Sequence, residues 1–378
     1  MFWRKKSPRL KILVGMSGGV DSSVSAALLM RQGYDVCGGF IKNWSDTKDL
    51  WTGECAWQAD RRDAIRVAAK LDIPLRTFDF EKEYRSRVLD RMFQEYQQGL
   101  TPNPDVLCNE EIKFGLFFEA AIALGFDAVA TGHYAQTKID QREVAHLYKG
   151  KDPGKDQSYF LHRLSQSVLT KTIFPIGDLT KKRVRVLAKA WSLPTAEKPD
   201  SQGICFIGKL DFHEFLRKRI KERPGEIVTA DGKVLGRHDG LDAYTIGQRQ
   251  GIGVSRDRQA WYVAAKDREL NRLIIVPRRD DPLLFSAEAR LSRLHLIAHT
   301  KATVPKAVDV AIRYHQKPER AKIAFESDMC SIRFRRPIWA LAPGQSAVFY
   351  HGNECLGGGE IMEKLEAGVF LAKNEKAE

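Results

Sequence analysis

A glycine- and serine-rich segment near the start of the chain has residue types suited to binding phosphate. The string ILVGMSGGVDSSVSAALL (12–29) joins an apolar run, typical of a buried strand, to a helix predicted from about Asp21. Glycines let backbone N–H groups face a single point, and a helix N-terminus beside such a turn binds anions. The phosphate-loop pattern G-x-x-x-x-G-K-[ST] is absent, so its lysine is missing. The glycines alone also fit an ordinary strand–helix connection, capped by Asp21 or Ser22.

Two cysteines lie in segments whose composition predicts loops. Cys108, in GLTPNPDVLCNEEIKFG, comes just before a helix predicted to begin near residues 109–112, and a helix N-terminus favours the thiolate. Asp105 lies on the same loop and could act as a base, although it also fits a turn cap beside an inert cysteine. Cys205 lies between two glycines in EKPDSQGICFIG. The residues alone do not show that the two thiols meet.

The spacing of the cysteines argues against a metal cluster. The chain has six cysteines and no C-x-x-C pair, so neither zinc nor an iron–sulfur cluster is expected, and no metal ligand is assigned. The chain start lacks the apolar core of a secretory signal, and no run of about 18 apolar residues predicts a membrane span. We therefore expect a cytoplasmic protein with no membrane partner and no structural disulfide framework. The other four cysteines are expected to be small buried residues: Cys37, Cys55, Cys330 and Cys355.

The balance of charge favours a polyanionic partner. The formal net charge is +13, and basic clusters occur at 181–189, 217–224 and 333–337. Such clusters suit the tracking of a nucleic-acid backbone. A basic enzyme with solvated charged faces would have the same composition, so charge alone leaves both interpretations open.

Alternating segments in the first half of the chain predict a parallel α/β sheet with helices on both faces. Strands are predicted at 34–41, 73–80 and 126–133, and helices at 56–71 and 112–125. Ligands of such sheets lie beyond the carboxyl ends of the strands, where the loop at 15–22 and the TGHY turn at 131–134 fall. A basic helical segment follows, with helices at 180–193 and 210–222, and short alternating runs beyond Pro224 predict a small β-barrel. The expected domains are 1–164, 165–222 and 223–378.

Short motifs then occur in order along nearly the whole chain. They are GMSGGVDSS, KNW (42–44), TPNPDVLCN, IKF (112–114), ATGHY, KDQSYFL (155–161), GICFIG, TIGQR (245–249), RY (313–314), PGQSAVFY (343–350) and CLGGG (355–359). Together they resemble the tRNA-specific 2-thiouridylases, the MnmA/TrmU family of PP-loop ATP pyrophosphatases. The resemblance implies a PP-loop (HUP-like) parallel-sheet domain, a small helical central domain and a C-terminal β-barrel domain.

The resemblance also implies a role for each matching residue. Cys108 corresponds to the nucleophile and Cys205 to the persulfide carrier, with a Cys108–Cys205 disulfide formed during the cycle and Asp105 beside them. The family usually has Met at the position of Ile41, so that adenine contact is expected to be changed rather than lost. The implied ATP-binding residues are Gly15, Met16, Ser17, Gly18, Gly19, Val20, Asp21, Ser22, Ile41 and Gly132. The implied contacts to the target base are Asn103, Pro104 and Asp105. The implied tRNA contacts are His133, Lys155, Asp156, Gln157, Arg313, Tyr314 and Gln345.

The reaction implied by the resemblance explains a phosphate loop that lacks the lysine. PP-loop enzymes break the bond between the α- and β-phosphates of ATP, so no γ-phosphoryl group is transferred. The wobble uridine is adenylated at C2 and its oxygen is replaced by sulfur, with Mg²⁺ expected beside ATP and Asp21 as a candidate helper. The implied partners are tRNAs for glutamate, glutamine and lysine, and a sulfur-relay protein or cysteine desulfurase. Two alternatives are a PP-loop synthetase or amidotransferase acting on a small molecule, and a nucleotide-dependent RNA-binding module without catalysis. Neither alternative explains the two loop cysteines.

Overall fold

The computed structural model describes residues 9–45, 55–200, 215–216, 219, 223–254 and 259–365. The chain forms two compact units, each assembled from separate stretches of sequence. The first unit contains Met1–Leu89, Pro104–Leu210 and Asn353–Leu356, and the second contains Asp90–Asn103, Asp211–Gly352 and Gly357–Glu378. Among the described residues, no helix is long and apolar enough to cross a membrane.

A parallel five-stranded sheet is the framework of the first unit. Its strand order is β3-β2-β1-β4-β7, and every neighbouring pair is parallel. Ile12, Leu13 and Val14 of the central strand are fully buried, as a strand covered on both faces requires. The α/β expectation is therefore confirmed. The strands are β1 (Lys11–Gly15), β2 (Asp35–Lys42), β3 (Leu75–Asp79), β4 (Ala128–Ala130) and β7 (Thr172–Ile173).

Helices cover both faces of this sheet. The helices of the first unit are α1 (Val20–Arg31), α2 (Ala56–Leu71), α3 (Glu81–Tyr84), α5 (Pro104–Leu107), α6 (Phe117–Ala123), α7 (Gln166–Leu169) and α8 (Lys181–Ala190), with π-helical segments at Arg85–Leu89 and Cys108–Leu116 and a 3₁₀ turn at Ser158–Leu161. One core packs α1, α2 and α8 against the sheet through Val24, Val67 and Val184. The ring of Phe117 packs on Gly39 of β2, where a Cβ atom would lie 2.6 Å from it. The segment from α5 to α6 therefore covers part of the sheet through Phe117.

Residues 165–200 belong to the first unit, which differs from the separate helical domain expected over 165–222. Strand β7 extends the parallel sheet, with Thr172 beside Val129 of β4. Val184 and Ala188 of α8 are fully buried in the same core as α1. The amphipathic pattern of this segment is therefore explained by packing on the sheet, and the predicted helix at 210–222 lies largely outside the described residues.

An antiparallel hairpin, β5 (Ala135–Ile139) and β6 (Ala145–Lys149), also belongs to the first unit. Its partner comes from far along the chain, because Glu354 pairs with Tyr148 and Cys355 pairs with Leu147. These two residues begin strand β17 (Glu354–Leu365), which belongs to the first unit through Leu356 and to the second unit from Gly357.

The second unit contains two β structures. The first is a four-stranded sheet of order β10-β11-β8-β9, with a core that includes Ile227, Val263 and Ile275. The second is an antiparallel barrel of order β12-β15-β14-β13-β16-β17, closed by pairing of β12 with β17. The predicted C-terminal barrel is confirmed. The strands are β8 (Gly225–Thr229), β9 (Val234–His238), β10 (Tyr262–Asp267), β11 (Arg272–Val276), β12 (Phe285–Leu296), β13 (Ala307–Ala311), β14 (Glu319–Glu326), β15 (Met329–Trp339) and β16 (Ser346–His351), with 3₁₀ turns at Leu241–Ala243 and Pro282–Leu284.

A strap formed by α4 (Asp90–Gln97) and residues 98–103 is also part of the second unit. The Arg268 guanidinium donates to the carbonyl of Gln97 at 2.7 Å, at the end of α4. Thr101 N–H donates to the carbonyl of Pro343 at 2.7 Å. The strap ends at Asn103, and the next residue, Pro104, begins α5 of the first unit.

Candidate functional site

The glycine-rich loop connects β1 to α1 as the sequence predicts. Gly18 has φ +72°, a conformation that favours glycine. Gly19 is the N-cap of α1, and no side chain caps the helix there. The Ser22 hydroxyl lies 3.2 Å from Ser17 N and 3.3 Å from Ser17 Oγ, which holds the loop against the first turn. An uncapped helix N-terminus behind a tight loop is suited to an anion.

Two glycines allow the backbone to approach this loop closely. A Cβ atom at Gly18 would overlap the carbonyl of Asp60 in α2. A Cβ atom at Gly132, in the TGHY turn, would lie 2.7 Å from Ser22 N. The lack of a side chain at these two glycines therefore lets Asp60 and the TGHY turn lie close to the loop and to the first turn of α1. The described residues at this helix N-terminus fit a phosphate-bearing ligand.

The loop motif contains no lysine, but two lysines from distant parts of the sequence contact the loop. Lys198 Nζ donates to the carbonyl of Gly18 at 3.0 Å and also contacts Asp60 at 2.8 Å and Asp63 at 2.6 Å. Lys181 Nζ lies 2.8 Å from both carboxylate oxygens of Asp21. The sequence does not reveal the role of either residue, because Lys181 lies in an ordinary basic cluster and Lys198 lies in a loop remote from the glycines.

The ion pairs of this network shift the pKa of one lysine, Lys198, and of one aspartate, Asp200. Burial disfavours the charged form of Lys198, but hydrogen bonds to Asp60 and Asp63 outweigh it and raise the pKa of Lys198. For Asp200, burial is outweighed by Lys155 and Lys181, which hold the pKa of that carboxyl well below its usual range.

Asp200 joins three cations at the end of the described segment that precedes Cys205. Its carboxylate accepts from Lys155 at 2.7 Å, from Lys181 at 2.8 Å and from Arg185 at 2.6 Å. Arg185 also donates to the carbonyl of Ala196 at 2.9 Å. The chain leading towards Cys205 is therefore fixed beside the phosphate loop. Cys205 itself lies outside the described residues, so the Cys108–Cys205 disulfide stays a prediction.

The carboxylates described above do not form an open magnesium site. Asp21 is paired with Lys181 and accepts from the Tyr134 hydroxyl at 2.7 Å, and burial together with Asp21 raises the pKa of Tyr134. Asp60 and Asp63 are paired with Lys198. These pairs do not fit direct ligation of Mg²⁺ by the residues as they stand, and we derive no chemical step through the ion.

Cys108 lies inside a helix and not at its start. The helix was expected to begin near residues 109–112, but α5 begins at Pro104 and continues into the π-helical segment from Cys108. Proline is favoured in the first helical turn, which explains the earlier start. The dipole argument for the Cys108 thiolate is therefore weaker than the sequence predicts. The thiol is also fully buried, and Asp105 lies in the first turn of α5.

Residues predicted to contact tRNA in the first unit use their side chains internally. His133 is buried, its Nδ1 lies 2.8 Å from Thr131 Oγ1, and burial followed by the charge of Lys113 lowers its pKa. Asp156 accepts from the N–H groups of Gly150 and Ser158. Gln157 Oε1 accepts from Tyr134 N at 3.0 Å. These side chains, like Lys155, shape the loops beside the TGHY turn, and their contacts with tRNA stay predictions.

The predicted tRNA contacts of the second unit are also engaged. Arg313 donates to the carbonyls of Ile246 at 2.7 Å and Ala340 at 2.9 Å. The Tyr314 ring lies 3.8 Å from that of His315, centroid to centroid. Gln345 Nε2 donates to the carbonyl of Thr101 at 2.7 Å and to that of Pro102 at 3.2 Å. Gln345 therefore holds the strap that ends at Asn103.

Three family models match the chain in succession. They are described as tRNA methyl transferase HUP domain (residues 10–209), tRNA methyl transferase PRC-barrel domain (213–277) and Aminomethyltransferase beta-barrel domain (286–361). A tRNA-specific 2-thiouridylase MnmA of Nitrosomonas eutropha is 48% identical over 94% of this chain and 99% of its own length. The MnmA of Methylobacillus flagellatus is 47% identical over 94% of this chain and 99% of its own length.

The chain belongs to the tRNA-specific 2-thiouridylase family.

The family models agree with the observed architecture of this 2-thiouridylase family member. The HUP-domain match covers the parallel sheet through residue 209, which agrees with the placement of β7 and α8 in the first unit. The PRC-barrel match covers residues 213–277, which contain the four-stranded sheet. The third match covers the closed antiparallel barrel.

Proposed function

We propose that this chain is an ATP-dependent tRNA 2-thiouridylase that replaces the C2 oxygen of the wobble uridine with sulfur. The observation that carries the proposal is the full-length similarity, at 48% and 47% identity, to proteins named tRNA-specific 2-thiouridylase. The uncapped phosphate loop and the Cys108 helix, both built on the parallel sheet, support it. We assign the enzyme to the sulfurtransferases and place its action in the cytoplasm.

The first step of the proposed reaction activates the uridine. Its C2 oxygen is a poor leaving group, so that oxygen attacks the α-phosphorus of ATP, pyrophosphate departs, and N3 of the uridine loses its proton to solvent. The phosphates rest at the N-terminus of α1, where backbone N–H groups and the helix dipole stabilise negative charge. Lys198 and Lys181 contact the same loop at Gly18 and Asp21, and each would exchange one of these contacts to reach the departing pyrophosphate. The adenylated uridine then has AMP as its leaving group.

The second step of the proposed reaction delivers sulfur. In one order, the Cys108 thiolate attacks the inner sulfur of a Cys205 persulfide, forming the Cys108–Cys205 disulfide and releasing hydrosulfide, which attacks C2 and expels AMP. In the other order, the outer persulfide sulfur attacks C2 and expels AMP, and Cys108 then attacks Cys205 Sγ to release the thiolated base. Both orders end in the same disulfide, which a thiol reductant must return to two thiols.

The proposed substrates and donors follow the family resemblance. The tRNAs are those for glutamate, glutamine and lysine, and the persulfide comes from a sulfur-relay protein or a cysteine desulfurase. Asn103, Pro104 and Asp105 are proposed to contact the target base. Pro104 and Asp105 lie in the first turn of α5, and Asn103 precedes them in the sequence as the last residue of the strap.

Pyrophosphate release in the presence and absence of tRNA tests this function. We expect release that requires an unmodified tRNA, together with 2-thiouridine detected by mass spectrometry when a persulfide donor is supplied. Release that requires a small-molecule substrate and ignores tRNA would contradict the proposal. ATP binding without any pyrophosphate release would indicate a binding module.

A further inference from the structure

The side chain of Asn43 is buried without a hydrogen-bond partner. It is 1% exposed, and neither its Oδ1 nor its Nδ2 has a partner among the described residues. A buried amide left unpaired is unfavourable, and most buried polar atoms in proteins are paired. An apolar residue would serve better for packing, so the amide indicates a group that arrives from outside the chain.

Asn43 follows the last residue of β2, at the edge of the parallel sheet where ligands bind. Side chains alternate along a strand, so Asn43 is on the same face as Gly39 and Ile41 if the alternation continues by one residue. Phe117 packs on Gly39 and therefore marks this face. Met16, at the start of the phosphate loop, packs on Gly38 and marks the opposite face, where α1 lies.

The chain directions indicate that Asn43 and Cys108 lie towards the same end of this sheet. From Gly39 to Asn43, the chain rises about 13 Å at the usual 3.3 Å per residue of a strand. From Phe117 back to Cys108, the π-helical segment runs towards the same end and rises less than the roughly 13 Å of an α-helix of that length, because a π-helix is more tightly wound along its axis. Helix α6 leads into β4, which is parallel to β2 within the sheet, so the helix runs in the opposite direction to β2. The amide and the thiol therefore share one face and one end of the sheet.

We propose that Asn43 is a specificity-determining residue that hydrogen-bonds the target uridine. Its Nδ2 donates to O4 of the base and its Oδ1 accepts from N3–H, so that both orphaned atoms gain partners. This pairing leaves the C2 oxygen, which the reaction replaces, without a contact from this residue. The inference rests on the proposed function. Adenine also offers a donor and an acceptor, and Ile41, an implied adenine contact, is on the same face as Asn43. The position towards the Cys108 end of the sheet favours the uridine, and the Kd for ATP distinguishes the two bases.

The test compares Asn43→Leu and Asn43→Ala with the unmodified enzyme. For thiolation of a tRNA, kcat/KM is expected to fall by roughly 10- to 100-fold, because one buried hydrogen-bonded pair to the base is lost. The Kd for ATP alone and the loading of persulfide should be unchanged. The Tm should not fall for Asn43→Leu, since the amide makes no hydrogen bond with the described residues. Asn109→Leu is the matched control, and its Tm should fall because Asn109 Nδ2 donates to the carbonyl of Phe160 at 3.2 Å.

A modified substrate locates the contact on the base. An anticodon stem–loop with 4-thiouridine at the target position keeps N3–H but offers sulfur, a weaker acceptor, in place of O4, so the unmodified enzyme should react with it at least 10-fold more slowly than with uridine. In Asn43→Ala this discrimination should fall to about 3-fold or less. Unchanged discrimination, a normal kcat/KM in both variants, or a loss explained by a lower Tm would overturn the inference. A 10-fold increase in the Kd for ATP would assign the amide to adenine instead. Absence of thiolation by the unmodified enzyme would contradict the proposed function itself.

Discussion

Lys198 and Lys181 show how single residues complete a phosphate site whose motif lacks a lysine. Both ammonium groups are held by carboxylates at the loop, Lys198 by Asp60 and Asp63, and Lys181 by Asp21. These ion pairs orient the lysines before a nucleotide binds. Because the partners lie far apart in sequence, only the folded chain identifies them.

Replacing Lys198 with alanine should weaken ATP binding by about 10- to 100-fold, the effect expected from losing one charge-assisted contact. Calorimetry with ATP measures the change. Lys189→Ala is the matched control, because Lys189 is exposed and pairs only at the surface with Glu197 among the described residues. Equal affinities of Lys198→Ala and the unmodified protein would remove this lysine from the phosphate site.

The serine variants of the two cysteines should stop the reaction at different stages, one at persulfide loading and the other at sulfur delivery. Cys205→Ser should accept no persulfide sulfur, whereas Cys108→Ser should be loaded at Cys205 without delivering sulfur to tRNA. Intact-protein mass spectrometry after incubation with a persulfide donor, with a parallel assay of 2-thiouridine, separates the two defects. Cys330→Ser is the control, because Cys330 is buried in the barrel of the second unit and burial raises its pKa to about 12. Thiolation by Cys205→Ser at the normal rate would exclude it as the carrier.

His133 should make the folded state sensitive to acid. Burial, and then Lys113, lowers its pKa below that of the unfolded chain, so the unfolded state binds the extra proton first. Its contribution is fully present above about pH 6.5 and is lost as the pH falls. The decrease in Tm between pH 7.5 and 5.5 should be smaller in His133→Phe than in the unmodified protein. An equivalent change at exposed His351 should leave that decrease unaltered.

At the scale of elements, the sequence predicts the helices that have a strong local hydrophobic period. It does not predict elements whose position depends on contacts with distant parts of the chain. The helix predicted at 56–71 matches α2, because its amphipathic period is strong and uninterrupted. The helix around Cys108 begins at Pro104, earlier than predicted, because the turn-like composition of the segment concealed a proline-initiated helix. Strand β7 has only two residues, so no periodic signal could reveal that it joins the sheet.

The two central glycines of the phosphate loop should respond differently to a methyl group. Gly19 has φ −96°, and its added Cβ would lie 3.4 Å from Ser17 Oγ, so Gly19→Ala should fold normally. A methyl group at the N-cap narrows the anion cradle, and we expect at least a 10-fold loss of ATP affinity. Gly18→Ala should also lower the Tm, because its Cβ would overlap the Asp60 carbonyl and φ is positive. Thermal denaturation measures the Tm of both variants, and calorimetry measures their affinity for ATP. Normal ATP binding by Gly19→Ala would contradict the prediction.

At the scale of the whole molecule, the excess of positive charge should determine how strongly tRNA is held. The net charge of +13 belongs to the complete sequence, and several of its cations are engaged in internal ion pairs, including Lys155, Lys181 and Lys198. The exposed remainder is available to phosphates along the tRNA.

Contact with about six phosphates should reduce tRNA affinity by roughly 10³-fold between 50 and 200 mM salt. Filter binding or fluorescence titration across this range measures the slope. ATP affinity, measured in parallel at constant free Mg²⁺, serves as the reference for general salt effects. A nearly flat slope for tRNA would favour a small-molecule substrate.

A ribosome making this chain completes the β5–β6 hairpin long before it makes the residues that pair with the second edge of β6. Glu354 and Cys355 cover β6, and they emerge only after the second unit's Asp211–Gly352 stretch has been synthesised. During that interval the nascent hairpin presents an open strand edge, which is prone to pairing with other chains. A message truncated late in translation would therefore yield a product with every residue of the phosphate loop and the Cys108 helix, yet still a target for chaperones and proteases.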